Sequence, residues 1–240
     1  MKFAIVKKWY FILLCAVALA LIVFAIYYFA VIRPQKIEQK RYEEIFQAYH
    51  EQKYEEYEKE NQKYADYEVD VAFIGDSLTD RYDLENYYPQ YITANRGING
   101  DTTFDVEKRL QLSLYDLKPK VVVMLIGANN LDTMFQNYEA ILQGIQENLP
   151  QTKVVLLSLT AMNGEEWGRN NPLAAYNNVK IKLLAERYGY EFIDLFSALY
   201  DVSAGEAYAD YTLDGGHLSH LGYTKVTEQI TPVLKELLGR

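Results

Sequence analysis

Three side chains that lie far apart in the sequence could together form a nucleophilic site. A serine hydroxyl is a poor nucleophile until a base removes its proton, and Ser77 stands in a Gly-Asp-Ser turn after an apolar run. His217 has an aspartate, Asp214, three residues before it on a glycine-rich turn, whereas His220 lacks an aspartate at that spacing. Such a carboxylate can orient one ring nitrogen while the other faces the hydroxyl. The pattern predicts Ser77 as nucleophile, His217 as general base and Asp214 as its partner.

Three further groups are suited to hold the negative charge that develops on an attacked carbonyl oxygen. The backbone N–H of Ser77 is one. Gly100 can bring its N–H close to a substrate because it has no side chain, and Asn129 offers a side-chain amide after another apolar run. Each donor of this kind can contribute on the order of 10²–10³ in rate. The set predicts acyl transfer through a serine, chemistry that requires no metal and no cofactor.

Apolar runs separate these residues and predict the strands that position them. The runs are short and continuous, which is typical of strands buried on both faces. They cover 69–74, 91–94, 121–126, 154–159 and 192–195. Because strand and helix alternate, with crossovers long enough for helices, the sheet should be parallel and covered on both faces. In such sheets the ligand site lies at the carboxyl ends of the strands.

Helical periods fill the segments between these runs. Asp101 is expected to cap the first helix, and a second follows from Tyr138. A third runs from Asn171 to Gly189, and the last begins near Ser219. Pro232 lies inside the last helix and is expected to kink or shorten it.

The motifs and their order resemble the SGNH hydrolases, also called GDSL esterases and lipases. Ser77 stands in GDSLT, Gly100 in GINGDTT, Asn129 in GANN, and Asp214 with His217 in DGGHLSHLGY. The resemblance covers residues 69–240. It implies a flavodoxin-like three-layer α/β/α sandwich with a five-stranded parallel sheet, and a serine ester hydrolase without metal or cofactor.

One position departs from the family pattern. The family usually has an aspartate where this chain has Asn130. The acetylhydrolase-like branch of the family also tolerates asparagine there. The change therefore bears on how the loop is braced and leaves the role of Asn129 in place.

A run of 24 uncharged residues, 9–32, predicts a transmembrane helix. At 1.5 Å per residue it would be roughly 36 Å long, enough for a bilayer core of about 30 Å. A cleaved signal peptide would leave a bare apolar N-terminus, and Leu14 is too bulky for a lipoprotein site at Cys15. The flanking basic residues are nearly balanced, but the short tail 1–8 favours a single-pass membrane protein with its catalytic domain outside the cytoplasm.

Residues 33–68 read as a charged helical stalk that connects this helix to an SGNH hydrolase domain at 69–240. The stalk is rich in Glu, Lys, Gln and Tyr and contains no glycine. The stalk could be a solvated spacer. Apolar side chains at 42, 45, 46 and 49 would also allow two chains to dimerise through a short coiled coil. The net charge of −9 argues against nucleic acid as a partner, and the single cysteine excludes an internal disulfide.

These features favour a membrane-anchored serine esterase that hydrolyses short acyl esters, with acetyl expected, at the cell envelope. Its substrate would be a small ester or an acylated glycan or lipid. An envelope glycan O-acyltransferase could use the same residues, as could a lysophospholipid esterase. A fourth possibility is a binding module with an inactive site. The presence of both Ser77 and His217 argues against it. Trp167, in the polar loop 163–171, should either wall the substrate pocket or pack.

Overall fold

The computed structural model describes residues 2–240, with side chains from Trp9 onward. The chain divides into two compact units, Met1–Gln52 and Lys53–Arg240. In the first unit, helix α1 (Lys2–Tyr27) continues through a short π-helical segment (Tyr28–Ile32) into α2 (Arg33–Asn61). By length and composition this helix could cross a membrane. The last turns of α2, from Lys53, belong to the second unit.

Five parallel strands form the central sheet of the second unit. They are β1 (Val71–Gly75), β2 (Thr93–Gly97), β3 (Val121–Leu125), β4 (Lys153–Leu157) and β5 (Glu191–Ile193). Their spatial order is β2-β1-β3-β4-β5, the flavodoxin-like order, whose switch point lies between β1 and β3. Every residue of β1 and β3 is buried, which explains their continuous apolar sequences. Each predicted strand overlaps an observed one, and the predicted fold class is confirmed.

Helices cover both faces of the sheet and separate its core into two layers. On one face, Ala72 and Ile74 of β1 pack in a cluster with residues of α5 (Thr103–Lys108), α6 (Tyr138–Asn148) and α8 (Asn171–Tyr188). On the other, Val71 and Phe73 pack with residues of α3 (Ser77–Asp80), α4 (Leu84–Tyr87), α9 (Leu195–Leu199) and α10 (His220–Leu238). The alternation along β1 follows the period of two of a strand. A short helix, α7 (Gly164–Trp167), and a two-stranded ribbon, β6 (Tyr200–Asp201) with β7 (Glu206–Ala207), complete the chain.

Two details of the helices differ from the sequence-based expectations. Thr102, not Asp101, caps α5, because Thr102 and Asp105 form a reciprocal capping box. Helix α10 runs through Pro232 to Leu238 without being shortened. Pro232 and Glu228 are exposed, so water can satisfy the Glu228 carbonyl that loses its donor. The expected starts at Asn171 and Ser219 and the stop at Gly189 are confirmed.

Candidate active site

Ser77 lies at the carboxyl end of the central strand β1. Asp76 caps the short helix α3, and its carboxylate accepts a hydrogen bond from the Leu78 N–H at 3.1 Å. A side chain at Gly75 would collide with the Leu125 carbonyl oxygen, which a Cβ would approach to 2.1 Å. The close contact between β1 and β3 therefore requires glycine there. The result is a tight strand-to-helix turn that holds Ser77 at the sheet edge with 8% of its surface exposed.

The structure brings the three predicted reactive side chains together. His217 Nε2 lies 3.1 Å from Ser77 Oγ, and His217 Nδ1 lies 2.7 Å from Asp214 Oδ2. The second carboxylate oxygen of Asp214 accepts the backbone N–H groups of Gly216 and His217 at 3.1 and 2.8 Å. Gly215 adopts a φ of +92° in this turn, a conformation that favours glycine. The turn thus fixes both side chains before any substrate binds.

The electrostatics of this turn keep Asp214 ionised. Burial raises the pKa of Asp214, but hydrogen bonds from the His217 ring and from the His217 and Gly216 amides outweigh it and lower the pKa to about 2. An ionised Asp214 favours the tautomer with a proton on His217 Nδ1. Nε2 is then free to accept the Ser77 proton.

The predicted oxyanion donors lie on the loops after three neighbouring strands, β1, β2 and β3. Gly100 adopts a φ of +87°. The Asn129 amide donates to the Asp101 carbonyl oxygen at 2.9 Å, which fixes it one residue beyond Gly100 on the loop after β2. Because a side-chain amide carries two hydrogens, Asn129 keeps one N–H for a substrate oxygen.

Asn130 braces these loops in place of the usual aspartate. Its side-chain oxygen accepts the Thr103 N–H at 3.3 Å, and its nitrogen donates to Thr103 Oγ1 at 2.9 Å. Thr103 is the first residue of α5, so Asn130 ties the loop after β3 to the start of that helix. An amide can fill both roles here because it both donates and accepts.

A buried ion pair that sequence reasoning missed lies beneath the site. Arg109 Nε binds Asp101 Oδ2 at 2.7 Å, and its other nitrogens donate to the Gly75 carbonyl oxygen and Ser113 Oγ, both at 2.9 Å. Arg109 therefore links the end of β1 to the loop after β2. Burial, together with the nearby Asp101, raises the pKa of Asp76 to about 7, against the opposing Leu78 hydrogen bond and Arg109 charge. The sequence does carry one signal for this pair, because Arg109 lies between Val106 and Leu110, which are spaced as on the buried face of a helix.

Structural contacts account for three further side chains, those of Trp167, His220 and Asp194. The Trp167 ring lies 6.3 Å from the His217 ring, centroid to centroid, and covers Gly216, where a Cβ would be 2.8 Å from the indole. Trp167 thus packs on the histidine turn. His220 Nδ1 pairs with the Tyr87 hydroxyl at 2.6 Å, and Asp194 caps α9. Among residues 9–240, no three His, Cys, Asp or Glu side chains are grouped so as to hold a metal ion.

A flavodoxin-like fold with serine, histidine and aspartate at the carboxyl edge of its sheet is typical of a hydrolase. The family model described as GDSL-like lipase/acylhydrolase matches residues 73–225. The chain therefore belongs to the GDSL-like lipase/acylhydrolase family and is a hydrolase with relatives among the esterases.

Curated relatives of this chain include subunits of an acetylhydrolase. The alpha2 subunit of platelet-activating factor acetylhydrolase IB from Rattus norvegicus is 32% identical over 189 residues, 72% of this chain and 79% of that protein. The alpha1 subunit from Mus musculus is 31% identical over 191 residues, 73% and 79% of the two chains.

Solved structures share the fold. A protein from Streptococcus pneumoniae, provisionally described as a platelet activating factor, superposes with a TM-score of 0.75 at 28% identity and covers 83% of this chain and 99% of its own. The acetylxylan esterase Axe2 from Geobacillus stearothermophilus, at 22% identity, has a TM-score of 0.58 and covers 71% and 95%. At that identity the likeness to Axe2 concerns the fold alone.

Proposed function

We propose that this protein is a serine esterase that removes short acyl groups, with acetyl as the preferred group. The observation that carries the proposal is the continuous hydrogen-bonded relay from Ser77 through His217 to Asp214, with distances of 3.1 and 2.7 Å. These separations lie within the reach that proton transfer requires. The acetylhydrolase relatives support the acyl preference.

In the proposed mechanism, Ser77 Oγ attacks the ester carbonyl carbon while His217 Nε2 takes the hydroxyl proton. Asp214 stabilises the imidazolium that forms. The oxyanion accepts hydrogen bonds from the N–H groups of Ser77 and Gly100 and from the Asn129 amide. His217 then gives its proton to the departing alcohol. Water, deprotonated by His217, then attacks the acyl carbon. The bond from this carbon to Ser77 Oγ breaks, His217 returns the proton to Ser77, and the carboxylic acid is released.

The N-terminal helix supports a place for this activity at a membrane. An uncharged stretch of this length is sufficient to span a bilayer. We infer a single-pass protein whose catalytic unit acts on esters of the cell envelope from the outer side. Fusions of alkaline phosphatase after Arg240 test the orientation, since the phosphatase is active only when exported. An inactive, stably produced fusion would contradict the envelope role.

The activity is tested with the full-length chain in detergent micelles, with acetyl and decanoyl esters of para-nitrophenol as substrates. The wild type should prefer the acetyl ester, and Ser77→Ala should lose about 10³-fold or more in kcat. Ser203→Ala, which removes an exposed hydroxyl, is the matched control and should retain full activity. Full activity of folded Ser77→Ala would exclude the mechanism. Transfer of acetyl to an added glycan, without release of acetate, would instead identify an acyltransferase.

A further inference from the structure

The last turns of helix α2 hold the loop that carries Gly100. This loop, residues 97–100, follows β2 and is named here the oxyanion loop. Tyr57 of α2 is 3% exposed, and its hydroxyl donates to the Gly97 carbonyl oxygen at 2.7 Å. Burial raises the pKa of the Tyr57 hydroxyl, against the charges of Arg109 and Arg96. The hydroxyl therefore stays protonated at neutral pH and can donate this hydrogen bond.

A second attachment reaches the other end of the same loop. Lys53 of α2 pairs with Asp80 at 2.8 Å, with only 19% and 8% of the two side chains exposed. The other carboxylate oxygen of Asp80 accepts the Asn99 N–H at 3.1 Å. Asn99 directly precedes Gly100, so Lys53 acts on this donor through a single carboxylate.

Further contacts make this part of α2 a fixed support. The Arg96 guanidinium is fully buried, lies 4.5 Å from the Tyr57 ring centroid, and pairs with Glu60. It also donates to the Asn61 side-chain oxygen at 2.9 Å, while the Asn61 nitrogen donates to the Leu112 carbonyl oxygen at 2.8 Å. Helix α2 is thus joined to β2 at two successive turns, one with Tyr57 and one with Glu60 and Asn61.

The loop itself has little freedom to adjust on its inner side. A Cβ at Gly97 would lie 2.1 Å from the Asp80 nitrogen, so β2 ends in direct backbone contact with α3, the helix that begins with Ser77. The position of Gly100 relative to Ser77 is therefore set by α3 on one side and α2 on the other. A displacement of about 1 Å of a group that must meet a transition state can cost on the order of 10²-fold in rate.

We propose that Lys53 and Tyr57 of helix α2 are positioning residues that fix the oxyanion loop, so that this helix is part of the catalytic apparatus. The proposal rests on the proposed function of Gly100 as an oxyanion donor. The two side chains do not touch the substrate. They act through Asp80 and through the Gly97 carbonyl, and they stabilise the transition state rather than bound substrate.

The test compares two conservative variants with two matched controls on the same helix, all in the full-length chain. Tyr57→Phe removes one hydroxyl and Lys53→Met removes one charge. Tyr42→Phe and Lys59→Met make the same changes at side chains that face solvent; Tyr42 is 68% exposed and the Lys59 side chain 73%. Each target variant should lower kcat for the acetyl ester about 10-fold with little change in KM, because an oxyanion contact forms only in the transition state. The controls should match the wild type.

Two further readouts separate positioning from mere stability. Binding of a trifluoromethyl ketone, which forms an oxyanion on Ser77, should weaken in proportion to kcat/KM across the series. Lys53→Arg, which keeps the charge, should restore both values. If the target variants unfold earlier but keep the kcat of the wild type, the proposal is wrong.

Amide hydrogen exchange gives an answer whether or not the ester is hydrolysed. Exchange in the peptide that contains residues 97–100 should be about 10-fold faster in Tyr57→Phe and Lys53→Met than in the controls. Unchanged exchange in both would overturn the proposal. Full activity of Ser77→Ala would instead overturn the proposed function, so the two failures are distinguishable.

Discussion

At the scale of single residues, this site separates the groups that react from those that hold them. Asp214 and Asn129 of the proposed reactive set are exposed, and Ser77 is 8% exposed at the edge of the sheet. The supports, Asp76, Asp101 and Arg109, are buried more deeply. Asp76 fixes the turn that holds Ser77, and Arg109 connects that turn to the loop after β2. Precise placement of the reacting groups therefore depends on charges that no substrate contacts.

Asn129 should matter to the rate and little to substrate binding. Asn129→Ala removes a donor that strengthens only as charge develops on the substrate oxygen, so kcat should fall about 10²–10³-fold at a nearly constant KM. Steady-state kinetics with the acetyl ester measure this. Asn148→Ala, which removes an exposed amide on α6, is the control. A rise in KM alone would show that Asn129 binds the ground state.

Asp76 should make stability depend on pH. Its pKa is about 7 in the folded protein and near 3.8 when unfolded. Between these values the folded state keeps a proton that the unfolded state releases, so stability from this group falls as pH rises from about 4 to 7. Asp76→Asn mimics the protonated form and should remove that decline. Urea unfolding at several pH values checks it, and an identical pH profile in both proteins would contradict the assignment.

At the scale of elements, the end of α2 belongs with the hydrolase fold. A fragment that begins at Lys53 keeps Tyr57, Glu60 and Asn61, which surround the fully buried Arg96 guanidinium. A fragment that begins at Asp66 lacks all three. The shorter fragment should unfold at lower urea concentration, because a buried charge that loses its partner is costly. Equal unfolding midpoints for the two fragments would show that α2 contributes no stability.

The strands and the reactive loops could be predicted from the sequence because their signals are local. Strands buried on both faces require continuous apolar runs, and each motif lies directly after such a run. The cap of α5 was misplaced by one residue, since Asp101 and Thr102 are both good caps and only the pairing of Thr102 with Asp105 decides between them. Two contacts could not be predicted from the sequence, that of Tyr57 with Gly97 and that of Arg109 with Asp101. The partners lie 40 and 8 residues apart, and no rule of spacing relates such residues.

At the scale of the whole molecule, an apolar helix precedes the hydrolase fold in the sequence. If residues 9–32 span the bilayer, the full-length chain should remain in the membrane pellet after extraction with alkaline carbonate. A fragment that begins at Arg33 should appear in the supernatant, and its ester hydrolysis should match that of the detergent-solubilised full chain. Release of the full-length chain by carbonate would contradict the anchor.

The central claim, that Ser77 is the nucleophile activated by His217, is tested most directly by covalent trapping. A fluorophosphonate should add once to the wild-type chain, on the peptide that contains Ser77, and ester hydrolysis should stop in proportion to the labelled fraction. Ser77→Ala should take up no label, and His217→Ala should react at least about 10³-fold more slowly. A fully labelled chain that still hydrolyses the ester, or a stoichiometric adduct on another residue, would contradict the account.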